Sequence, residues 1–143
     1  GPEAAPAVPK LIEMLAGQSQ KTRCSEALAA IGPDAAAAIA ALEEQAAKQA
    51  GTDQSALYAL CCIRGDISDF RKLVGLLEDA NVDAATKKQV VTRLDQLGAK
   101  AQPVADEIRR LLTAESPGDW QEGLKSFLEN VDKGIVPEAV FNW

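Results

Sequence analysis

The sequence predicts an all-α protein in which pairs of helices stack side by side as a solenoid. Glycine recurs at positions 1, 32, 65 and 98, at spacings of 31, 33 and 33 residues. Apolar residues precede the internal glycines at intervals that place them on one face of an α-helix. No segment shows the alternation of apolar and polar residues that is typical of a half-buried β-strand. A helical repeat of about 33 residues follows from these observations.

The second helix of each pair is indicated by an apolar stripe that ends at a glycine. The stripe comprises Cys24, Leu28 and Ile31, then Leu57, Cys61 and Arg64, then Val90, Leu94 and Leu97. Arg64 alone departs from the apolar pattern. Because a glycine after the last apolar residue is typical of a helix C-terminus, we expect second helices near 20–31, 54–64 and 84–97. A fourth is expected near 118–132.

The first helices follow the glycines and share an opening phrase. The phrase reads Gly-Pro-Glu-Ala-Ala-Pro from residue 1, Gly-Pro-Asp-Ala-Ala-Ala from 32 and Gly-Ala-Lys-Ala-Gln-Pro from 98. First helices are expected near 4–16, 34–49, 67–79 and 100–114. After Gly65 the apolar residues lie one position later, counted from the glycine, than in the other repeats. Pro6 and Pro103 share one repeat position and should bend their helices. The expected N-caps of the second helices are Ser19, Thr52, Asp83 and Ser116.

A length of 143 residues predicts one domain. Its repeats lie near 2–31, 32–64, 65–97 and 98–132, with a tail at 133–143. Stacked pairs bury a continuous core that no single pair could bury alone. The first repeat begins without a polar cap, so we expect the chain to be a fragment of a larger protein.

The composition excludes several kinds of chemistry. The chain has no histidine, which excludes histidine bases, Ser-His-Asp triads and histidine-ligated metals. Cys24, Cys61 and Cys62 form no C-x-x-C pair, and we expect them to be small buried hydrophobes. No phosphate-binding loop or metal loop is present. We therefore expect no enzymatic activity, no cofactor and no metal site.

No targeting segment is recognisable, and no continuous apolar run approaches the roughly 20 residues of a membrane span. A cytoplasmic location is the default expectation.

Residues 27–42, Ala-Leu-Ala-Ala-Ile-Gly-Pro-Asp-Ala-Ala-Ala-Ala-Ile-Ala-Ala-Leu, resemble the HEAT repeat in the short bacterial form also found in phycobilisome lyases. Residues 4–15 are similar to the first helix of the same motif. The resemblance covers 2–115, weakens around 65–77 and is absent from 116 onward. It implies a right-handed solenoid of about four helix pairs, with the second helices lining a concave inner face.

Charge is distributed unevenly among the predicted helices. The chain has a net charge of −6, yet the second helices near 20–31, 54–64 and 84–97 carry six cations against Glu26 and Asp95, a net charge of +4. The concave face would then be basic and would bind a protein partner, one with an acidic surface. Ordinary solvated helix surface explains the same charges. Nucleic acid fits less well, because the chain is acidic and the patch has no aromatic platforms.

The residues expected to contact a partner on this face are Lys21, Arg23, Tyr58, Lys87, Lys88, Gln89 and Arg93.

The last 28 residues hold four of the six aromatic residues. Trp120, Leu124, Phe127, Leu128 and Val131 form one helical stripe. The tail that follows should cap the last helix pair, or else Phe141 and Trp143 form a secondary site for a partner.

A second function comes from the resemblance to phycobilisome lyases. It implies a subunit, non-catalytic or lyase-type, that handles a tetrapyrrole chromophore.

Overall fold

The computed structural model describes residues 2–17, 20–49, 53–112 and 119–137. Within these ranges the chain is mostly helical and contains no β-strand, which confirms the all-α class. Contacts divide the chain into two compact units, Gly1–Asp69 and Phe70–Glu138. The single domain of four repeats stays a prediction.

The first unit contains two helix pairs. A 3₁₀ segment, Pro2–Ala7, leads into α1 (Val8–Leu15), which is followed by α2 (Lys21–Ile31). A second 3₁₀ segment, Gly32–Ala38, leads into α3 (Ile39–Gln49), which is followed by α4 (Ser55–Ile63). Helix α2 packs against α1 and α4, and α3 packs against α4. The core of this unit includes Leu28, Leu42 and Leu57, each with at most 1% of its surface exposed.

The second unit repeats this order of elements. Helix α5 (Ile67–Glu78) precedes α6 (Ala84–Leu97), and the 3₁₀ segment Gly98–Val104 leads into α7 (Ala105–Leu112) and then α8 (Asp119–Asp132). Helix α8 packs against α6 and α7. Leu73, Leu94, Ile108 and Phe127 are fully buried in this unit. All four second helices lie within one residue of their predicted bounds.

The first helices differ from the prediction in how they begin. Among the described residues, three of them start as 3₁₀ segments instead of bent α-helices. The prolines do not cause this start, because Gly32–Ala38 has Ala37 at the position of Pro6 and Pro103. The backbone leaves helical geometry at Ala35 (φ −92°, ψ 19°) and at Ala101 (φ −91°, ψ 15°). The 3₁₀ start accompanies the shared opening phrase, and α5, which lacks the phrase, begins directly as an α-helix.

Three glycines end the second helices with positive φ angles. The angles are +79° at Gly32, +67° at Gly65 and +52° at Gly98. With ψ of −146° and −131°, Gly32 and Gly98 lie in a region of backbone φ/ψ space that residues other than glycine rarely adopt. Their N–H groups donate to the carbonyl oxygens of Leu28 and Leu94, which closes the last turn of each helix. The predicted helix ends are confirmed.

Gly98 also provides room for the beginning of the tail. A Cβ atom there would lie 2.5 Å from the carbonyl oxygen of Ile135 and 2.6 Å from Cδ of Pro137. The N–H of Ala99 donates to the same carbonyl of Ile135 at 2.9 Å. Residues 135–137 therefore pack against the start of the 3₁₀ segment Gly98–Val104.

Arg64, the polar exception in the apolar stripe, has a charged partner. Its guanidinium donates to both carboxylate oxygens of Asp69, at 2.7 and 3.0 Å, and Asp69 is fully buried. Glu43 lies 3.5 Å away on another side of the guanidinium. The hydrogen bond to Asp69 raises the pKa of Arg64 further above its ordinary value. Residue 64 lies at the end of α4 beside the buried carboxylate of Asp69. A cation at this position is favoured because it pairs with that carboxylate.

One of the predicted N-caps lies within the described residues and is confirmed. The carboxylate of Asp83 accepts the N–H of Thr86 at 2.7 Å, and this hydrogen bond holds the pKa of Asp83 below its usual value. Ser19, Thr52 and Ser116 lie outside the described residues.

One helical stretch of the described residues, Lys21–Lys48, is long and apolar enough to cross a membrane. Half of its most apolar window is buried inside the protein, as in a core helix. The stretch is divided at Gly32, so neither α2 nor α3, at 11 residues each, reaches the length of a span.

We predict that Asp69→Ala destabilises the protein by about 2–3 kcal/mol, because it leaves the guanidinium of Arg64 without its two-point partner. The loss should fall below that of a fully buried pair, since the Arg64 side chain is 27% exposed. Urea unfolding measures the change. Glu107→Ala is the control, because it breaks the more exposed pair with Arg71 and should cost less than about 1 kcal/mol. Equal losses would contradict this account of Arg64.

Gly98→Ala should cost clearly more stability than Gly32→Ala. Both substitutions place a side chain at a positive φ in a sparsely populated region, with a strain of about 1–3 kcal/mol. Only at position 98 does the new Cβ collide with Ile135 and Pro137, since nothing lies within 4 Å of a Cβ at position 32. The difference between the two thermal midpoints isolates the collision with the tail. A larger loss for Gly32→Ala would show that residues 135–137 do not pack there.

Candidate functional site

The exposed side of α6 is the best-defined candidate surface in the second unit. Helix α6 buries Thr86, Val90, Val91, Leu94 and Leu97. The opposite side, which we call the α6 face, consists of Lys88, Gln89, Thr92, Arg93 and Gln96. Four of these five residues are exposed and Arg93 is half-buried.

The α6 face carries two cations and no carboxylate. A guanidinium nitrogen of Arg93 lies 3.4 Å from Oε1 of Gln96, one turn further along the helix. Asp95 is half-buried and lies 3.4 Å from the side-chain amide of Asn130 in α8. Because the one acid of the predicted helix is turned toward α8, the exposed face has a net positive charge.

Lys87 borders the α6 face and contacts an aromatic ring. Its Nζ lies 5.7 Å from the ring centroid of Trp120, which is half-buried at the start of α8. Such a cation–π contact is worth about 0.5–1 kcal/mol at an exposed site. The predicted stripe of α8 is confirmed below this contact, where Leu124 and Phe127 are fully buried.

The predicted contacts on α2 are Lys21 and Arg23. Both lie in the first turn of α2, where Arg23 is exposed and Lys21 is half-buried. Lys21 lines a cleft between α1 and α3, together with the buried side chain of Gln45. The burial of Gln45 could not be predicted from the sequence, because a glutamine in an Ala-rich helix carries no signal of burial.

The exposure expected for Tyr58 is wrong. Its side chain is only 6% exposed, and every residue of α4 from Ser55 to Ile63 is buried. Helix α4 packs against α2, α3 and the 3₁₀ segment Gly32–Ala38, and none of its residues is exposed to solvent. The residues of α4 are apolar almost all round, which is the pattern of a fully buried helix. This composition indicates that Tyr58 is buried, whereas its position relative to the apolar stripe had indicated an exposed side chain.

The three cysteines are buried and free, as expected. Burial raises the pKa of the Cys61 thiol, and it raises the pKa of Cys24 as well. Thiolates are the reactive form of cysteine, so burial disfavours the reactive form of Cys24 and Cys61.

Metal ligation finds no support in the part of the chain that the structure describes, where no cluster of three or more cysteine, aspartate or glutamate residues could hold an ion. Phe141 and Trp143, the predicted secondary contacts, lie outside the described residues.

No family model, no curated protein and no solved structure matches this chain.

Proposed function

We propose that the chain is a protein–protein interaction module that binds an acidic protein surface through its second helices. The observation that carries the proposal is the α6 face, which is exposed, positively charged and without a carboxylate. On a chain with a net charge of −6, this face is a local reversal of sign. Electrostatic matching at such a face speeds association and discriminates against partners of the same charge.

The proposed architecture is a right-handed HEAT-like solenoid of about four helix pairs. Two observations support it. In each unit the two second helices pack against each other, α2 on α4 and α6 on α8. The 3₁₀ segments Gly32–Ala38 and Gly98–Val104 are offset by 66 residues, which is two repeats of 33. Stacking of equivalent helices is the means by which helical repeats bury a common core.

The individual cations would contribute differently to binding. Lys88 and Arg93 project from the α6 face itself, whereas Lys87 lies beside it over Trp120. Gln89 adds a neutral hydrogen-bonding group on the same face. Lys21 and Arg23 on α2 remain proposed contacts in the first unit, and Tyr58 is removed from the set because it is buried.

Three further expectations stay predictions. These are the binding segment at Phe141 and Trp143, the handling of a tetrapyrrole that the resemblance implies, and the cytoplasmic location.

The test is a pull-down from a lysate of the source organism at low and high salt. The variant combines Lys87→Glu, Lys88→Glu and Arg93→Glu, and we expect it to lose at least 90% of a partner that the wild type retains at low salt. High salt should weaken the wild-type interaction, because solvent-exposed charges are screened within about 10 Å at 0.1 M ionic strength.

A matched control carries the same change of charge elsewhere, as Lys10→Glu, Lys72→Glu and Lys100→Glu, at exposed lysines outside the second helices. It should retain the partner. Circular dichroism establishes that both variants are folded. A partner kept equally by both variants would contradict the proposal and would direct attention to the tail at Phe141 and Trp143.

A further inference from the structure

The α6 face has its amide side chains in the middle and its cations at the two edges. Successive residues of an α-helix are rotated by about 100°, so Lys88 and Arg93 lie about 140° apart around α6. Gln89 and Gln96 lie between them, within about 20° of one line parallel to the helix axis. Both glutamines are exposed. The middle of the face is therefore a row of amides about 10.5 Å long, with a positive charge on each side.

The two amides can form hydrogen bonds with a partner. The side chain of Gln89 makes no hydrogen bond to another described residue. Gln96 accepts from Arg93 with its Oε1 atom at 3.4 Å, which leaves its NH₂ group as a donor. The hydroxyl of Thr92, between them, instead donates to the backbone carbonyl of Lys88 at 3.1 Å. The row therefore presents both amide donors and an amide acceptor.

The α6 face has no apolar groove for a partner helix. Every apolar side chain of α6 larger than alanine is buried, namely Val90, Val91, Leu94 and Leu97. An amphipathic helix binds by placing apolar side chains in an apolar groove, and its own backbone groups are hydrogen-bonded within the helix. An extended chain instead has unpaired N–H and C=O groups, with which primary amides form hydrogen bonds as acceptors and donors.

We propose that the α6 face binds an acidic peptide segment in an extended conformation that lies along α6. In an extended chain, successive side chains point to opposite sides, and the backbone hydrogen-bonding groups point at right angles to them. The backbone would face Gln89 and Gln96, while carboxylates on its two sides would pair with Lys88 and Arg93. The inference rests on the proposed function, because it specifies the kind of acidic partner that this face takes.

The positions of the two cations set the spacing of the acidic residues in such a segment. Lys88 and Arg93 are about 7.5 Å apart along the helix axis and lie on opposite edges of the face. Carboxylates on opposite sides of an extended chain are an odd number of residues apart, and a separation of three residues spans about 10 Å. The flexible side chains of lysine and glutamate cover the remaining difference. We therefore expect acidic residues three positions apart.

The test is a titration of the ¹⁵N-labelled protein, followed by NMR, with a capped serine hexapeptide that carries two glutamates three positions apart. We expect saturable shifts of the side-chain amides of Gln89 and Gln96, with a Kd on the order of millimolar. An isomer with the glutamates two positions apart has both carboxylates on one side. It should bind about 3-fold more weakly, because it loses one exposed ion pair.

A second control separates the extended conformation from charge alone. A lactam-bridged helical peptide with two glutamates three positions apart has the same carboxylates, but its backbone groups are paired within the helix. It should bind at least ~10-fold more weakly than the extended hexapeptide, since it forms no backbone hydrogen bonds with the two glutamines.

Two variants test the assignment of the residues. Gln89→Ala combined with Gln96→Ala keeps both cations and should weaken binding of the hexapeptide by about 10-fold, the loss of two hydrogen bonds. Alanine is the best helix former, so this variant should fold. Its control is Gln102→Ala, at an exposed glutamine outside α6, which should leave binding unchanged. Lys88→Gln should abolish the preference for glutamates three positions apart.

Three results would overturn the inference: no saturable shift of the two glutamine amides, equal binding of the helical peptide, or hexapeptide binding that survives the double alanine variant. Tighter binding of a single-stranded oligonucleotide than of the hexapeptide would also contradict it. If the charge-reversed triple variant loses its partner in the pull-down although the hexapeptide does not bind, the interaction module stands and the extended segment fails. The two failures are therefore distinguishable.

Discussion

Each of the helices α2, α4 and α6 ends near a glycine whose φ angle is positive, and the path of the chain in both units depends on these glycines. At Gly32 and Gly98 the N–H still closes the last turn of the helix, while the glycine's own dihedral angles turn the chain out of it. A side chain with a Cβ atom rarely adopts those angles. The chain can fold back into the next helix because glycine occupies the turn. The apolar stripes then determine which helix faces meet.

The two units solve the same packing problem with different side chains. In the second unit, a Cβ at Gly123 of α8 would lie 2.5 Å from Cγ1 of Val91 in α6, so α8 approaches α6 closely where it has no side chain. At the equivalent positions 66 residues earlier, the first unit has Leu57 and Ser25. The larger and the smaller residue have thus exchanged helices. Serine and leucine together are larger than valine and glycine, so close packing requires the two interfaces to differ in detail.

The second helices could be predicted from the sequence to within one residue, because a glycine and an apolar stripe are local signals. The 3₁₀ starts of the first helices could not, since the break at Ala35 and Ala101 occurs at residues that favour α-helix. Tyr58 and Gln45 were missed for a related reason. Their burial depends on the helices that surround them, and the residue type alone does not determine which helices pack against it.

The candidate site shows the same division between local and tertiary information. The exposure of Lys88 and Gln89 followed from the helical phase of α6, because this helix has one buried side. The contact of Lys87 with Trp120 joins residues 33 positions apart, and the buried carboxylate beside Arg64 was equally invisible to the pattern. Periodicity locates the faces of a helix, whereas tertiary packing determines which charges on those faces remain available to a partner.

The most direct test of the central claim replaces Gly65 with each enantiomer of alanine. Gly65 is exposed, its φ is +67°, and a Cβ of the L form would meet only an ordinary contact, so sterics contribute little. Cys61 provides a ligation point for the semisynthesis. A positive φ predicts that Gly65→D-Ala is at least as stable as the natural chain, and that Gly65→Ala is less stable by about 1 kcal/mol in urea unfolding. Equal stability of the two enantiomers, or a more stable L form, would contradict the account of how these helices end.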